Sequence, residues 1–92
     1  MDDYREHLFI SGFVQMVGYR DFTRRMALKY ELYGWCRNLA DGRVEAMLCG
    51  AQDNVLKCIA DLKKGPQLAR VNHIDRSVTD DDTDYFEFEI KR

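Results

Sequence analysis

The sequence predicts an α+β fold in which two helices cover one face of a mixed five-stranded sheet. Short apolar runs with period-two alternation, typical of strands, recur along the chain. Two longer segments instead repeat apolar residues at helical spacing. The segments follow the order strand, helix, strand, strand, helix, strand and final strand. A length of 92 residues suits a single domain, residues 1–92, with one modest core.

The N-terminal third predicts a strand, a loop and a helix. Residues 8–14 alternate, with Leu8, Ile10 and Val14 largely on one side. Residues 21–30 carry an apolar stripe at helical spacing, and charged residues occupy the opposite side. That stripe consists of Phe22, Met26, Ala27, Leu28 and Tyr30. We therefore expect a helix that follows the first strand in the chain and packs on the sheet.

The middle of the chain predicts a β-hairpin. Residues 32–38 and 43–49 read as strands, and Asp41-Gly42 between them is a strong turn signal, because this pair tolerates positive φ. Trp35 is large enough to anchor part of the core. Along the returning strand, alternate residues should share one face, namely Val44, Ala46 and Leu48.

The remainder predicts a helix and two strands. Residues 54–63 form the helix, with Gln52 or Asp53 as its cap, and Gly65-Pro66 ends it. Residues 69–78 form the fourth strand, 79–84 a polar loop and 85–91 the last strand. The order β-α-β-β-α-β plus a C-terminal strand is that of a ferredoxin-like α/β sandwich.

Composition narrows the class of protein. Hydrophobic residues make up 46% and charged residues 33%, which is typical of a globular chain. A net charge of -2 argues against nucleic acid as a general partner. No apolar run approaches the roughly 18 residues of a membrane span, and the polar N-terminus is unlike a signal peptide. We expect a cytoplasmic monomer with no membrane partner.

Metal and redox chemistry are disfavoured. Three cysteines without a C-x-x-C pair make a poor disulfide framework and a poor zinc site, so reduced apolar side chains are expected. We interpret His7 and His73 as surface residues of strands or loops, since neither has a ligand partner at metal spacing. The acidic run at 79–84 lacks the glycine and distal glutamate of a calcium loop.

The loop at residues 12–20 is the strongest candidate site. It joins a strand to a helix N-terminus, where free backbone N–H groups and the helix dipole favour an anion. Arg20 adds a planar fork that can grip two phosphate oxygens. A surface arginine at a helix start explains the same residues equally well, so this motif alone leaves both interpretations open.

Several motifs in one order resemble the acylphosphatases. Residues 12–20 resemble their G-x-V-Q-G-V-G-F-R signature, and residues 34–38 resemble their G-W-V-x-N strand. Residues 41–45 resemble their D-G-x-V-E turn. Similarity continues through Gly65-Pro66 and the following L-A-R-V to the closing strand at Phe88, Glu89 and Ile90. The resemblance covers nearly the whole chain, from about residue 6 to residue 92.

This resemblance implies hydrolysis of small acyl phosphates to a carboxylate and inorganic phosphate, without a metal or organic cofactor. The family arginine falls on Arg20 and the family asparagine on Asn38. The implied phosphate-binding residues are Gln15, Met16, Val17, Gly18, Tyr19 and Arg20. An acyl phosphate has a good leaving group, so positioning and charge stabilisation suffice. A carboxamide such as Asn38 can hold the attacking water. On the residues alone, Asn38 is explained at least as well by a turn before Asp41-Gly42.

Two departures from the family pattern keep an alternative open. Met16 stands where the family usually has glycine and Glu31 where relatives often have it, and positive φ at either position would cost about 1 kcal/mol. The alternative is a non-catalytic phosphate-binding module of the same fold, with activity impaired by Met16. A less favoured alternative is a detached relative of the acylphosphatase-like domain of hydrogenase-maturation carbamoyl transferases.

Overall fold

The computed structural model describes residues 3–91 and has the predicted order of elements. The strands are β1 (Tyr4–Phe13), β2 (Tyr33–Asn38), β3 (Val44–Gly50), β4 (Arg70–Val78) and β5 (Phe88–Ile90). The helices are α1 (Tyr19–Lys29) and α2 (Gln52–Lys64). Within the described residues, neither helix has the length and apolar character needed to cross a bilayer.

One five-stranded sheet organises the molecule, in the order β4-β1-β3-β2-β5. The pairs β4–β1, β1–β3 and β3–β2 are antiparallel, whereas β2 and β5 are parallel. The sheet is therefore mixed, and the predicted ferredoxin-like α+β fold is confirmed. Strand β3 is central, and all seven of its residues are buried, because both faces of the sheet are covered there.

The main core lies between the sheet and the two helices. Alternate residues of β1 and β3 point into it, in the predicted period-two pattern. They pack against buried residues of the helices, at helical spacing on α2. The core includes Leu8, Ile10, Val44, Ala46, Leu48, Ala27, Val55, Cys58, Ile59 and Leu62.

The opposite face of the sheet, which we call the open face, has its own packed cluster. Glu45 is 6% exposed and accepts hydrogen bonds from His7 Nε2 at 2.6 Å and Arg37 Nε at 2.7 Å. The rings of Phe9 and Trp35 lie beside His7, with centroids 4.7 Å and 6.1 Å away. His7 lies on a strand, as predicted, but its ring is only partly exposed because it pairs with Glu45. His73 is exposed and pairs with Asp75, as expected of a surface residue.

Several element ends differ from prediction. The last strand is only three residues long and Phe86 is 85% exposed, because β5 pairs with β2 alone over Gly34 to Cys36. Neither Gln52 nor Asp53 caps α2; the cap residue is Ala51, which makes no side-chain hydrogen bond. Helix α1 begins at Tyr19, two residues earlier than predicted.

The three cysteines are free and buried, as the odd count predicts. Burial raises the pKa of the Cys36 and Cys58 thiols to about 12. Both groups are therefore uncharged apolar side chains at neutral pH.

Candidate active site

One cavity of about 240 Å³ lies where the loop before α1 meets the end of β2. Five of the residues predicted to bind phosphate or to act in catalysis line it, namely Met16, Gly18, Tyr19, Arg20 and Asn38. Val14, Asp21 and Ile90 complete its wall. Gln15 and Val17 do not line it; Val17 packs against the main core instead.

The backbone of the loop before α1 has two residues with positive φ. Gly18 caps α1 in a left-handed conformation (φ 77°), and Met16 also has positive φ (65°), whereas Gln15 and Val17 do not. Such alternation turns successive N–H groups toward one side. Among residues 3–91, no carbonyl oxygen accepts a backbone hydrogen bond from the N–H groups of residues 15–20. These donors remain available to a ligand at the helix N-terminus.

Helix α1 is fixed at its first residue. Tyr19 is 1% exposed, and its hydroxyl donates a hydrogen bond to the Leu62 carbonyl of α2 at 2.8 Å. A side chain at Gly65 would bring a Cβ within 3.3 Å of the Tyr19 ring, so glycine there permits the close approach. Burial raises the pKa of the Tyr19 hydroxyl well above its usual value, which keeps it protonated as a donor. This anchor positions the following residue, Arg20.

Asn38 ends β2 on the face of the sheet that carries the helices. Cys36 lies two residues earlier on that face, and its Sγ is 3.7 Å from the carbonyl oxygen of Arg20. The β2 register thus places Asn38 at the N-terminal end of α1. Its Oδ1 is buried and accepts no hydrogen bond from any described residue. An unpaired buried carboxamide oxygen costs about 1–3 kcal/mol, so this atom needs an explanation.

Arg20 is the one basic residue among the described residues that line the cavity. None of the ion pairs in the described part of the chain involves Arg20. The acidic residue in the wall, Asp21, pairs instead with Arg25 at 3.1 Å. Within residues 3–91, no group of three or more histidine, cysteine or acidic side chains is arranged to hold a metal ion.

Three contacts at this site were not anticipated from the sequence. They are the buried hydroxyl of Tyr19, the contact between Cys36 and Arg20, and the side chain of Gln15. Gln15 Nε2 donates to the carbonyl oxygens of Leu39 and Arg43, at 2.8 and 3.0 Å. Each contact joins segments that are distant in the chain, so no local spacing signals it. A tyrosine at a core position was the one usable sign, because a buried hydroxyl needs a partner.

The elements and their order in the sheet define an α+β sandwich of ferredoxin-like topology, with one cavity at the N-terminal end of α1. The family model for acylphosphatase matches residues 6–90. An acylphosphatase of Alcanivorax borkumensis is 48% identical over 69 residues, which is 75% of each chain. One of Syntrophobacter fumaroxidans is 38% identical over 90 residues, covering 98% of this chain and 93% of the relative.

A solved structure gives the same result. An acylphosphatase from Coxiella burnetii superposes with a TM-score of 0.92 at 31% identity, covering 98% of this chain and 94% of that one. The chain therefore belongs to the acylphosphatase family, whose enzymes hydrolyse acyl phosphates.

Proposed function

We propose that this chain hydrolyses small acyl phosphates with Arg20 and the loop N–H groups binding the phosphoryl group and Asn38 orienting the attacking water. One observation carries the proposal. Arg20, free backbone donors and Asn38 meet at one cavity; within residues 3–91 Arg20 forms no ion pair and the buried Asn38 Oδ1 has no hydrogen-bond partner. Buried polar groups are normally paired, so unpaired groups that converge indicate a ligand.

Binding of the phosphoryl group follows from charge and geometry. The guanidinium of Arg20 donates two parallel hydrogen bonds to two phosphoryl oxygens. Backbone N–H groups of residues 15–20 donate to the remaining oxygen, in the field of the α1 dipole. These groups are held in place before substrate arrives, by Tyr19 on α2 and by the positive φ of Gly18. They stabilise the charge that spreads over the phosphoryl oxygens in the transition state.

Asn38 positions the nucleophile. A half-turn of its carboxamide about χ2 exchanges the oxygen and the nitrogen within nearly the same volume, so either end can face the cavity. The oxygen accepts a hydrogen bond from water and aligns it with the phosphorus. The water oxygen bonds to phosphorus as the bond from phosphorus to the acyl oxygen breaks. The carboxylate departs unprotonated, and one of the two protons of the attacking water passes to a phosphoryl oxygen. No enzyme base is therefore required.

We further infer that the protein acts in the cytoplasm as a monomer. Cys36, Cys49 and Cys58 are free thiols, which supports a reducing compartment. Arg20 and Asn38 belong to one chain and line one cavity, so the proposed chemistry needs no second copy.

Met16 supports one alternative, a phosphate-binding module with little turnover. Its φ of 65° is strained for a side chain with a Cβ, and the side chain is 99% exposed on the loop that would bind phosphate. If this strain misaligned the loop, phosphate would bind without hydrolysis, and Met16→Gly would restore turnover. We favour the enzyme, because the backbone at Met16 already has the positive φ that a glycine would adopt there without strain. The loop therefore has the conformation expected with glycine at this position.

Hydrolysis of benzoyl phosphate by the purified chain in the presence of a chelator tests the proposal. We expect turnover that saturates with substrate and is inhibited competitively by inorganic phosphate. A folded protein that binds phosphate but does not hydrolyse benzoyl phosphate would support the binding module instead. Met16→Gly, measured in parallel, then shows whether strain in the loop is the cause.

A further inference from the structure

We propose that Gln15 is a positioning residue that holds Asn38 in register with the phosphate-binding loop; this inference rests on the proposed function. Gln15 belongs to the loop by its backbone, but its side chain does not line the cavity. The side chain instead reaches the hairpin that carries Asn38. Both hydrogens of its amide are used there, on the carbonyl oxygens of Leu39 and Arg43.

These two carbonyls lie at the base of the β2–β3 turn. The N–H of Leu39 donates to the Arg43 carbonyl at 2.8 Å, and the N–H of Gly42 donates to the Leu39 carbonyl at 3.2 Å. Gln15 adds a second hydrogen bond to each acceptor, so it bridges the two strands where they separate. Asn38 is the residue just before Leu39 and pairs with Val44, the residue just after Arg43. The bridge therefore lies one residue from Asn38 on β2 and one residue from Val44, the partner of Asn38, on β3.

The opposite end of this arrangement is the phosphate-binding loop. Gln15 directly precedes Met16, whose N–H is one of the free donors at the cavity. A shift of the hairpin relative to the loop would change the distance between the bound phosphoryl group and the water held by Asn38. Displacements of about 1 Å in such an arrangement cost on the order of 10²-fold in rate. The side chain of Gln15 thus sets the geometry of attack without contacting the substrate.

A second contact joins β2 to the first turn of α1. Cys36 Sγ, on β2, is 3.7 Å from the Arg20 carbonyl, and a thiol is a weak donor. The amide of Gln15 makes shorter hydrogen bonds between neutral polar groups. Gln15 is therefore the stronger connection between the loop and the hairpin.

The test is a double-mutant cycle. Gln15→Met removes both donors and keeps the length of the side chain, and Asn38→Ala removes the carboxamide. We expect Gln15→Met to lower kcat for benzoyl phosphate about 10-fold while the inhibition constant of inorganic phosphate changes less than about threefold. In the Asn38→Ala background the same change should have almost no effect on kcat, since there is no longer a carboxamide to position.

Controls keep the outcome decisive. Gln52→Met alters an exposed glutamine at the start of α2, beyond the far end of β3, and should leave kcat unchanged. Gln15→Asn retains an amide too short to bridge both carbonyls, so its kcat should fall between wild type and Gln15→Met, and it serves if the methionine variant does not fold. An equal loss of kcat in both backgrounds, or a loss of phosphate affinity alone, would overturn the proposal. If Asn38→Ala has wild-type kcat, the role of Asn38 itself fails, which is a separate result.

Discussion

Two kinds of buried polar group occur on this sheet: some have hydrogen-bond partners, and one has none among the described residues. Glu6 is 1% exposed and accepts two hydrogen bonds from Arg76, at 2.8 and 2.7 Å, with a third from Tyr4. Glu45 is likewise paired with two partners on the open face. Asn38 Oδ1 is buried without a partner, beside a cation that forms no ion pair within the described residues. Paired groups stabilise the sheet, whereas we propose that the unpaired ones bind a ligand.

This contrast predicts that changes at the two kinds of site affect different measurements. Substitutions at the cavity should change rate and phosphate affinity with little effect on folding. Those at the paired glutamates should change folding with little effect on rate. A variant that changed rate and folding stability to the same extent would contradict this distinction.

The largest effect is expected for Arg20→Ala. It removes the guanidinium that we propose binds the phosphoryl group, so kcat/KM for benzoyl phosphate should fall about 10³-fold or more. Phosphate binding should be lost with it, while the unfolding free energy stays within about 0.5 kcal/mol of wild type. The matched control is Arg24→Ala, on the exposed side of the same helix. Retention of phosphate affinity in Arg20→Ala would contradict the assignment.

Arg76→Ala should have the largest effect on folding. It leaves the Glu6 carboxylate buried without its cation, at a cost of about 2 kcal/mol in unfolding free energy by urea titration. Arg76 is itself partly exposed, which keeps the cost below that of a fully buried pair. Arg70→Ala, on an exposed residue of the same strand, should change stability by less than about 0.5 kcal/mol. Benzoyl phosphate turnover should be normal in both variants, and a loss in Arg76→Ala alone would break the comparison.

Acidification should test the contribution of the two paired glutamates, Glu6 and Glu45, to stability. Hydrogen bonds from Arg76 hold the pKa of Glu6 below its ordinary value despite burial. Burial raises the pKa of Glu45, but hydrogen bonds from Arg37 and His7 outweigh this and leave the pKa lowered. Carboxylates whose pKa is lower in the folded state stabilise it above the unfolded pKa, near 4.5.

Wild-type stability should therefore be retained from neutral pH to about pH 5 and lost as pH falls through the folded pKa values. In Arg76→Ala, burial without the cation raises the pKa of Glu6, so protonation relieves the unpaired charge. The difference in unfolding free energy between the variant and wild type should shrink as pH falls from 7 to 4.5. Urea titrations at both pH values measure it, and a constant difference would show that the charge of Glu6 is not the cause.

The smallest effects concern two strained residues. Met16 and Glu31 have φ of 65° and 58°, and both side chains are exposed. Glycine at either position relieves strain and loses little packing, so each substitution should raise the unfolding free energy by about 0.5–1 kcal/mol. Turnover should stay within about threefold for Met16→Gly and be unchanged for Glu31→Gly, which lies after α1. Equal stability gains with a large rate change at Met16 alone would show that the methionine has a functional effect.

The sequence was sufficient for the fold, and five of the predicted site residues line one cavity, whereas Gln15 and Val17 do not. Period-two alternation located β1 and β3, and Asp41-Gly42 located the turn between β2 and β3, because these features depend on neighbouring residues. The partners of buried groups were not predictable in this way. Glu45 meets His7 from 38 positions away, and Tyr19 meets Leu62 from 43 positions away. Only the folded sheet brings such pairs together.

The positive φ of Met16 and Glu31 shows a second limit. The resemblance to the acylphosphatases predicts glycine at these two positions, but the backbone conformation of the residues present follows from the loop and the helix end that they complete. Similarly, the short β5 could not be inferred from Phe86, whose alternation with Phe88 and Ile90 is typical of a strand. Phe86 precedes the three residues that pair with β2 and is left exposed.

The most direct test of the central claim is the effect of Asn38→Ala on two quantities in one preparation. These are kcat for benzoyl phosphate and the inhibition constant of inorganic phosphate. If the unpaired carboxamide positions water, kcat should fall about 10²-fold while the inhibition constant changes less than about threefold. Wild-type kcat in the folded variant, or a loss of phosphate affinity as large as the loss of rate, would contradict the account.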